Sequence, residues 1–156
     1  MILFVNFFSI LPLKHYVEVY SYLSFESALS FYGLIPEAVY ETTSACYQKK
    51  YKEYETPFGF FSYAYIPVRP FFLDVEKNNE NQTMIASALR ALFDLVYLRK
   101  KSYLKLEDLD LDLRIDLEEL KTIVKNYSTK EIKEFSECYK KETTRNLANV
   151  LIEGYE

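Results

Sequence analysis

Asp74, Glu76 and Lys77 form an Asp-x-Glu-Lys run. In a metal-dependent nuclease, acids and a lysine so spaced hold a divalent cation and polarise a phosphate. Along a strand, however, Glu76 and Lys77 point to opposite faces. The run therefore reads better as a strand leaving a sheet for a polar loop. Asp110, Asp112 and Asp116 lack the glycine and closing glutamate of a calcium loop, and read as exposed strand residues and a helix cap. A serine or cysteine nucleophile needs a base, and His15 is the only histidine. Nothing in the pattern places it beside one. Cys46 and Cys138 stand far apart, outside any C-x-x-C pair, and make no zinc-ligand spacing with His15. Two free thiols in a reducing compartment are expected. Three glycines in the whole chain exclude a Gly-rich phosphate loop. The expectation is a chain without catalytic residues, metal or cofactor.

Three basic clusters carry the remaining polar chemistry. Lys49, Lys50 and Lys52 alternate with Tyr47, Tyr51 and Tyr54, a pattern suited to stacking single-stranded bases, and are the candidate nucleic-acid contacts. Arg99, Lys100, Lys101 and Lys105 follow a helix. Lys140, Lys141 and Arg145 lie near the C-terminus. Each cluster also suits a solvated face or a cationic helix end. The net charge of −4 and pI near 5.2 disfavour a domain built to neutralise many phosphates. That shifts the functional reading toward a protein partner, for which the 15 tyrosines supply contact area with a polar tip.

The elements that must position these groups follow from local pattern. With 156 residues, 49% apolar and 27% charged, the chain is an ordinary globular length and composition. The segment from Ser24 to Gly33 predicts a helix with Ser24 as N-cap, Phe25, Ala28, Leu29 and Tyr32 on one stripe, and Gly33 as a left-handed stop before Pro36. Residues 38–44 read as a strand, 49–55 as an exposed hairpin arm or loop, and 58–66 as an aromatic strand covered on both faces. Residues 71–76 suggest one more strand. Helical spacing sets in from Met84 through Tyr97. The alternating run from Leu109 to Ile115 reads as a short strand. Asp116 with Glu119, and Ser128 with Glu131, are two capping boxes. The second opens a helix that, continuous to Ile152, spans roughly 36 Å, with Thr143–Thr144 as the place to break. The fold class expected is α+β, a small mixed sheet packed with helices and followed by a C-terminal helical pair.

Residues 22–37, Tyr-Leu-Ser-Phe-Glu-Ser-Ala-Leu-Ser-Phe-Tyr-Gly-Leu-Ile-Pro-Glu, followed by Val39-Tyr-Glu-Thr-Thr-Ser44, resemble the core of AbiEi-type antitoxins of bacterial type IV (abortive-infection) toxin–antitoxin systems. Pro57-Phe-Gly-Phe-Phe-Ser-Tyr63, Ile66-Pro67, Phe71-Phe72 and Ile85-Ala-Ser-Ala-Leu-Arg-Ala-Leu-Phe-Asp-Leu-Val-Tyr-Leu98 continue the likeness. It covers roughly residues 22–98, with the capped C-terminal helices in register. Where the family carries Pro-Glu-Lys, this chain has Ala88, Leu89 and Arg90, keeping only the basic member. The family's winged-helix DNA-binding domain has no counterpart in the residues before Tyr22. The resemblance implies a non-catalytic antitoxin-type domain that counteracts a nucleotidyltransferase-like toxin, without a stable direct complex being required. Arg90, Arg99, Lys100 and Lys101 are the expected partner-facing surface. Ser24, Leu29, Tyr32, Gly33 and Pro36 are expected to hold the fold, and Asp94 to anchor its helix. A DNA-binding autoregulator of the same operon, and a nuclease-like enzyme around Asp74 and Glu76, are the alternatives.

One domain over residues 1–156 is expected: an apolar leader (1–21), a mixed core (22–115) and a helical part (116–156). The leader lacks the basic start and small-residue cleavage site of a secretory signal and is too short to span a bilayer. It reads as a buried strand ending at Pro12, completing the sheet or pairing two copies as a homodimer across an edge. A cytoplasmic protein with no membrane segment is expected.

Overall fold

The computed structural model describes residues 20–36, 40–79 and 82–155. The apolar leader, His15 and the start of the strand expected at 38–39 lie outside the described residues. Six described strands, β1 (Ser21–Leu23), β2 (Glu41–Cys46), β3 (Lys52–Thr56), β4 (Gly59–Tyr65), β5 (Val75–Lys77) and β6 (Met84–Ala86), form one sheet in the order β3-β4-β2-β1-β6-β5. β2 runs parallel to β4 and β1 parallel to β6, whereas the other neighbours are antiparallel. Among the described residues six helices accompany the sheet: α1 (Phe25–Phe31), α2 (Ala88–Arg99), α3 (Leu106–Leu113), α4 (Leu117–Val124), α5 (Thr129–Glu137) and α6 (Glu142–Tyr155). The fold is α+β, with a mixed sheet and a helical C-terminal part.

Helix α2 is the centre of the packing. Every residue from Ala88 to Val96 is buried, because α1 lies against it on one side and α4 and α6 on the other. A helix enclosed on all sides needs apolar residues all round, which Leu89, Ala91, Leu92, Phe93, Leu95 and Val96 provide. The register places Tyr22 opposite Ala45 and Ala45 opposite Ala64, and these three belong to the main core with α1 and α2. Successive strand residues point to opposite faces, so the neighbouring Cys46, Phe61 and Tyr63, with Tyr54, build a second, separate apolar cluster. Both faces of β4 are therefore packed from Phe61 to Ala64, whereas Phe58 and Phe60 before them stay exposed.

Several local expectations hold. Gly33 takes φ +73°, and its N–H and that of Leu34 close α1 by donating to Ser30 and Leu29 carbonyls. Asp116 Oδ1 accepts from the N–H groups of Glu118 and Glu119 at 3.0 Å each. Ser128 and Glu131 form a reciprocal capping box. The polar arm after Lys49 becomes β3, the hairpin partner of β4.

Others are corrected. The alternating run at 109–115 is not a strand: α3 occupies Leu106–Leu113, because Leu106, Leu109 and Leu113 also satisfy helical spacing and point inward while Leu111 stays exposed. Met84 and Ile85 belong to β6, and the helix begins only at Ala88, where Ser87 Oγ accepts from Arg90 N–H. Residues 71–74 form a turn, so β5 starts at Val75 rather than at Phe71. The helix expected from Ser128 to Ile152 is two helices. It breaks at 138–141, ahead of Thr143–Thr144, where Lys140 adopts φ +53°. The described C-terminal part thus holds α4 followed by the closing helical pair, α5 and α6. Ser24 sits at the N-cap of α1 but makes no capping hydrogen bond, because its hydroxyl turns instead to Asp94. Lys100 and Arg114, with φ +55° each, occupy the left-handed stops of α2 and α3, positions that glycine usually fills.

Candidate functional site

The most polar part of the interior lies where β1, α2 and the α5–α6 turn meet. Arg90 and Asp94, one helical turn apart on α2, are both 0% exposed. Asp94 Oδ1 accepts from Arg90 Nε at 3.0 Å and from the Tyr139 hydroxyl at 2.6 Å. Its Oδ2 accepts from the hydroxyls of Tyr22 at 2.8 Å and Ser24 at 2.7 Å. Arg90 also donates to Tyr22 Oη at 2.6 Å, to the Leu73 carbonyl at 2.8 Å and to the Phe71 carbonyl at 3.4 Å. A buried ion pair is tolerated only when its remaining donors and acceptors are filled, and this one meets that condition. Burial opposes the Arg90 charge, but Asp94, Tyr139 and Tyr22 together outweigh it and hold the guanidinium above its ordinary range. Burial, and then the Asp94 charge, raise the Tyr22 and Tyr139 hydroxyls well above the usual tyrosine value.

This overturns one sequence expectation. Arg90 is not part of a partner-facing surface; it is the most voluminous fully buried side chain described. Asp94, expected through the resemblance to anchor its helix, does so. The signal for Arg90 was the i, i+4 spacing of opposite charges inside an otherwise apolar stretch, which on an enclosed helix means an internal pair.

The Asp-x-Glu run is drawn apart. Asp74, at φ +56° in the turn before β5, accepts through Oδ2 from the hydroxyls of Ser87 and Tyr127. Glu76 and Lys77 are exposed. Burial, with Glu76 and Asp74 adding, pushes Tyr32 up to about 12, and burial likewise takes Tyr127 to about 12. Asp74 thus ties β5, the N-terminus of α2 and the end of α4 together. Among the described residues, no group of three His, Cys, Asp or Glu converges on a point fit for a metal ion. Cys46 is buried and Cys138 half-buried, and their sulfurs lie against backbone carbonyls of Gln48 and Glu134.

Arg99, Lys100 and Lys101 remain together at the exposed end of α2. Arg99 Nη2 reaches Glu26 at 3.2 Å and its Nη1 reaches Asp112 at 3.5 Å, while Lys101 Nζ holds Asp112 at 2.6 Å. Hydrogen bonds from Lys101 and Tyr103 keep the Asp112 carboxyl below the usual range. Glu26, Arg99 and Asp112 line a cleft of about 120 Å³ together with Leu29 and Leu95. Lys105 sits at the N-cap of α3. The third cluster is also engaged: Lys141 Nζ lies 4.3 Å from the Tyr97 ring centroid, and Arg145 grips Glu137 through two nitrogens at 2.7 and 2.9 Å.

Lys49 and Lys50 are exposed in the bend after β2, and Lys52 Nζ donates to Gln48 Oε1 at 3.3 Å. The aromatic partners differ from the alternating pattern. Tyr54 packs against Tyr63 in the second core cluster, and Tyr51 turns its hydroxyl to Glu53. Tyr47 instead lies under the guanidinium of Arg69, 4.1 Å from its ring centroid, beside Tyr20 and Phe71. Sequence reasoning missed Arg69, Tyr20, Tyr22 and Tyr139 as polar and aromatic contributors, because each is joined to its partners only by tertiary structure.

No helix among the described residues is long and apolar enough to cross a membrane. The chain matches no protein-family model, no curated protein and no solved structure.

Proposed function

We propose that the chain is a non-catalytic, antitoxin-type domain of a bacterial type IV toxin–antitoxin system, acting in the cytoplasm against a nucleotidyltransferase-like toxin. The observation that supports this reading is the role of the residue blocks resembling AbiEi-type antitoxins. Tyr22 and Ser24 from the first block and Arg90 and Asp94 from the last close on one another in a single sealed ion-pair centre. The blocks therefore share a structural reason to occur together. Asp94, Tyr22, Tyr139 and Asp74 are each engaged in intramolecular hydrogen bonds, and the raised Tyr22 and Tyr139 hydroxyls hold their protons tightly, which also favours a binding role over chemistry.

The partner-facing surface in this reading is the basic end of α2, Arg99, Lys100 and Lys101, without Arg90. Lys100 is exposed in its left-handed stop, and the other two are held in place by Glu26 and Asp112. Co-expression of the full chain with a nucleotidyltransferase-like toxin encoded beside it is expected to relieve growth arrest. Arrest that persists at equal expression of the folded chain overturns the proposal. Reversing the charges of Arg99, Lys100 and Lys101 is expected to weaken the rescue while leaving the fold intact.

A further inference from the structure

One end of the sheet presents an aromatic surface that the proposed function does not use. Tyr20, Tyr47 and Phe72 are 63%, 48% and 39% exposed, and they are linked through the buried Phe71. Ring centroids are 6.3 Å apart for Tyr20–Tyr47, 5.7 Å for Tyr47–Phe71 and 5.0 Å for Phe71–Phe72. Arg69 covers Tyr47, with Nη1 donating to the Val68 carbonyl at 2.8 Å and the Ile66 carbonyl at 3.4 Å. It makes no ion pair among the described residues. Lys49 and Lys50 follow Tyr47 directly, in a bend tightened by the Lys50 N–H to the Gln48 carbonyl. Neither segment, 47–52 nor 66–73, contains an acidic residue.

We propose that this surface binds single-stranded nucleic acid, stacking bases on Tyr47, Tyr20 and the Arg69 plane while Lys49 and Lys50 take adjacent phosphates. Rings interleaved with cations that make no ion pair among the described residues, on segments 47–52 and 66–73 that hold no acidic residue, match the alternation of base and phosphate along a strand. Size points the same way. The three rings expose only about 300 Å² between them, taking 150–250 Å² per ring, whereas a stable protein interface covers about 800 Å² on each partner. The platform is also rigid beneath. Phe71 packs on Tyr22 with centroids 5.0 Å apart, and its carbonyl accepts from the buried Arg90. Binding therefore orders little that is not already ordered. The chain's net charge of −4 makes the interaction modest and strongly salt-dependent. The inference does not rest on the antitoxin reading.

The test is fluorescence anisotropy of the full chain with short labelled oligo-thymidylate, oligo-uridylate and a duplex of equal length, at low and physiological salt. Saturable binding to a single strand, tighter than to the duplex, is expected. A preference between the two single strands identifies DNA or RNA as the source. Tyr47→Ala and Arg69→Ala are each expected to weaken binding about 5-fold or more, the loss of one stacked base. Arg69→Lys, which keeps the charge and loses the plane, should also weaken it. Lys49→Gln should flatten the salt dependence by about one phosphate contact. All three side chains are exposed, so circular dichroism should show unchanged folding. Absence of saturable binding at low salt, duplex bound as tightly as single strand, or Tyr47→Ala and Arg69→Ala both within about twofold of the parent overturns the proposal.

Discussion

The two ends of α2 carry the same chemistry in opposite settings. Near its N-terminus Arg90 meets Asp94 with both groups fully buried, and four donors converge on one carboxylate. At its C-terminus Arg99 and Lys101 meet Asp112 with side chains 39%, 54% and 25% exposed. In water the second set is worth little, because screening and side-chain entropy cancel most of the attraction. The first set is a different object: removing one member strands a charge in a medium that cannot solvate it. Exposure, rather than residue type, decides which arginine holds the fold and which is available to a partner.

The sharpest way to break this contrast is Arg90→Leu. Stranding Asp94 should cost about 3–5 kcal/mol, a large share of the 5–15 kcal/mol that a domain of this size possesses, and urea unfolding would measure it. Adding Asp94→Leu to that variant should cost less than the sum of the two single changes, and strict additivity would show that the pair is not coupled. Next in size, Tyr139→Phe removes one of the four donors to Asp94 and should cost about 1.5–3 kcal/mol.

High pH probes the same centre. Tyr22 and Tyr139 have folded values raised above the ordinary 10.0. Their protons therefore favour the folded chain fully below pH 10.0, and that advantage shrinks as the unfolded chain's tyrosines ionise above it. Tyrosinate absorbance from these two should appear only together with unfolding.

At the exposed end, Asp112→Asn should change stability by no more than about 1 kcal/mol, with the effect fading at high salt. Its carboxyl is depressed below 3.8, so its contribution is complete above that value and disappears as pH falls through the lower folded one. A stability loss from Asp112→Asn as large as that from Arg90→Leu would erase the distinction between the two ends.

The helix caps and the hairpin were legible because their signals are local: Gly33, Asp116 and Ser128 each act within four residues of themselves. The errors arose where one pattern admits two periods. Leu109 to Ile115 alternates as a strand does, yet Leu106, Leu109 and Leu113 also fit a helix, and burial against α6 decided the outcome. Ser24 offered a cap by type, but the nearby Asp94 gave its hydroxyl a charged acceptor. Arg90 read as surface because the resemblance set it opposite a basic residue of the family, and its i, i+4 spacing to Asp94, the sign of an internal pair, was outweighed. Arg69 escaped notice because Tyr47 comes to it from β2.

Glycine scarcity leaves its own trace. Lys100, Arg114 and Lys140 turn the chain through left-handed backbone that costs a side-chain-bearing residue about 1 kcal/mol or more relative to glycine. At the ends of α2 and α3 the cation recovers part of that cost by facing the negative pole of its helix. These corners are therefore where the molecule could most readily be hardened against heat, with Lys140→Gly the best single choice because Lys140 caps no helix directly.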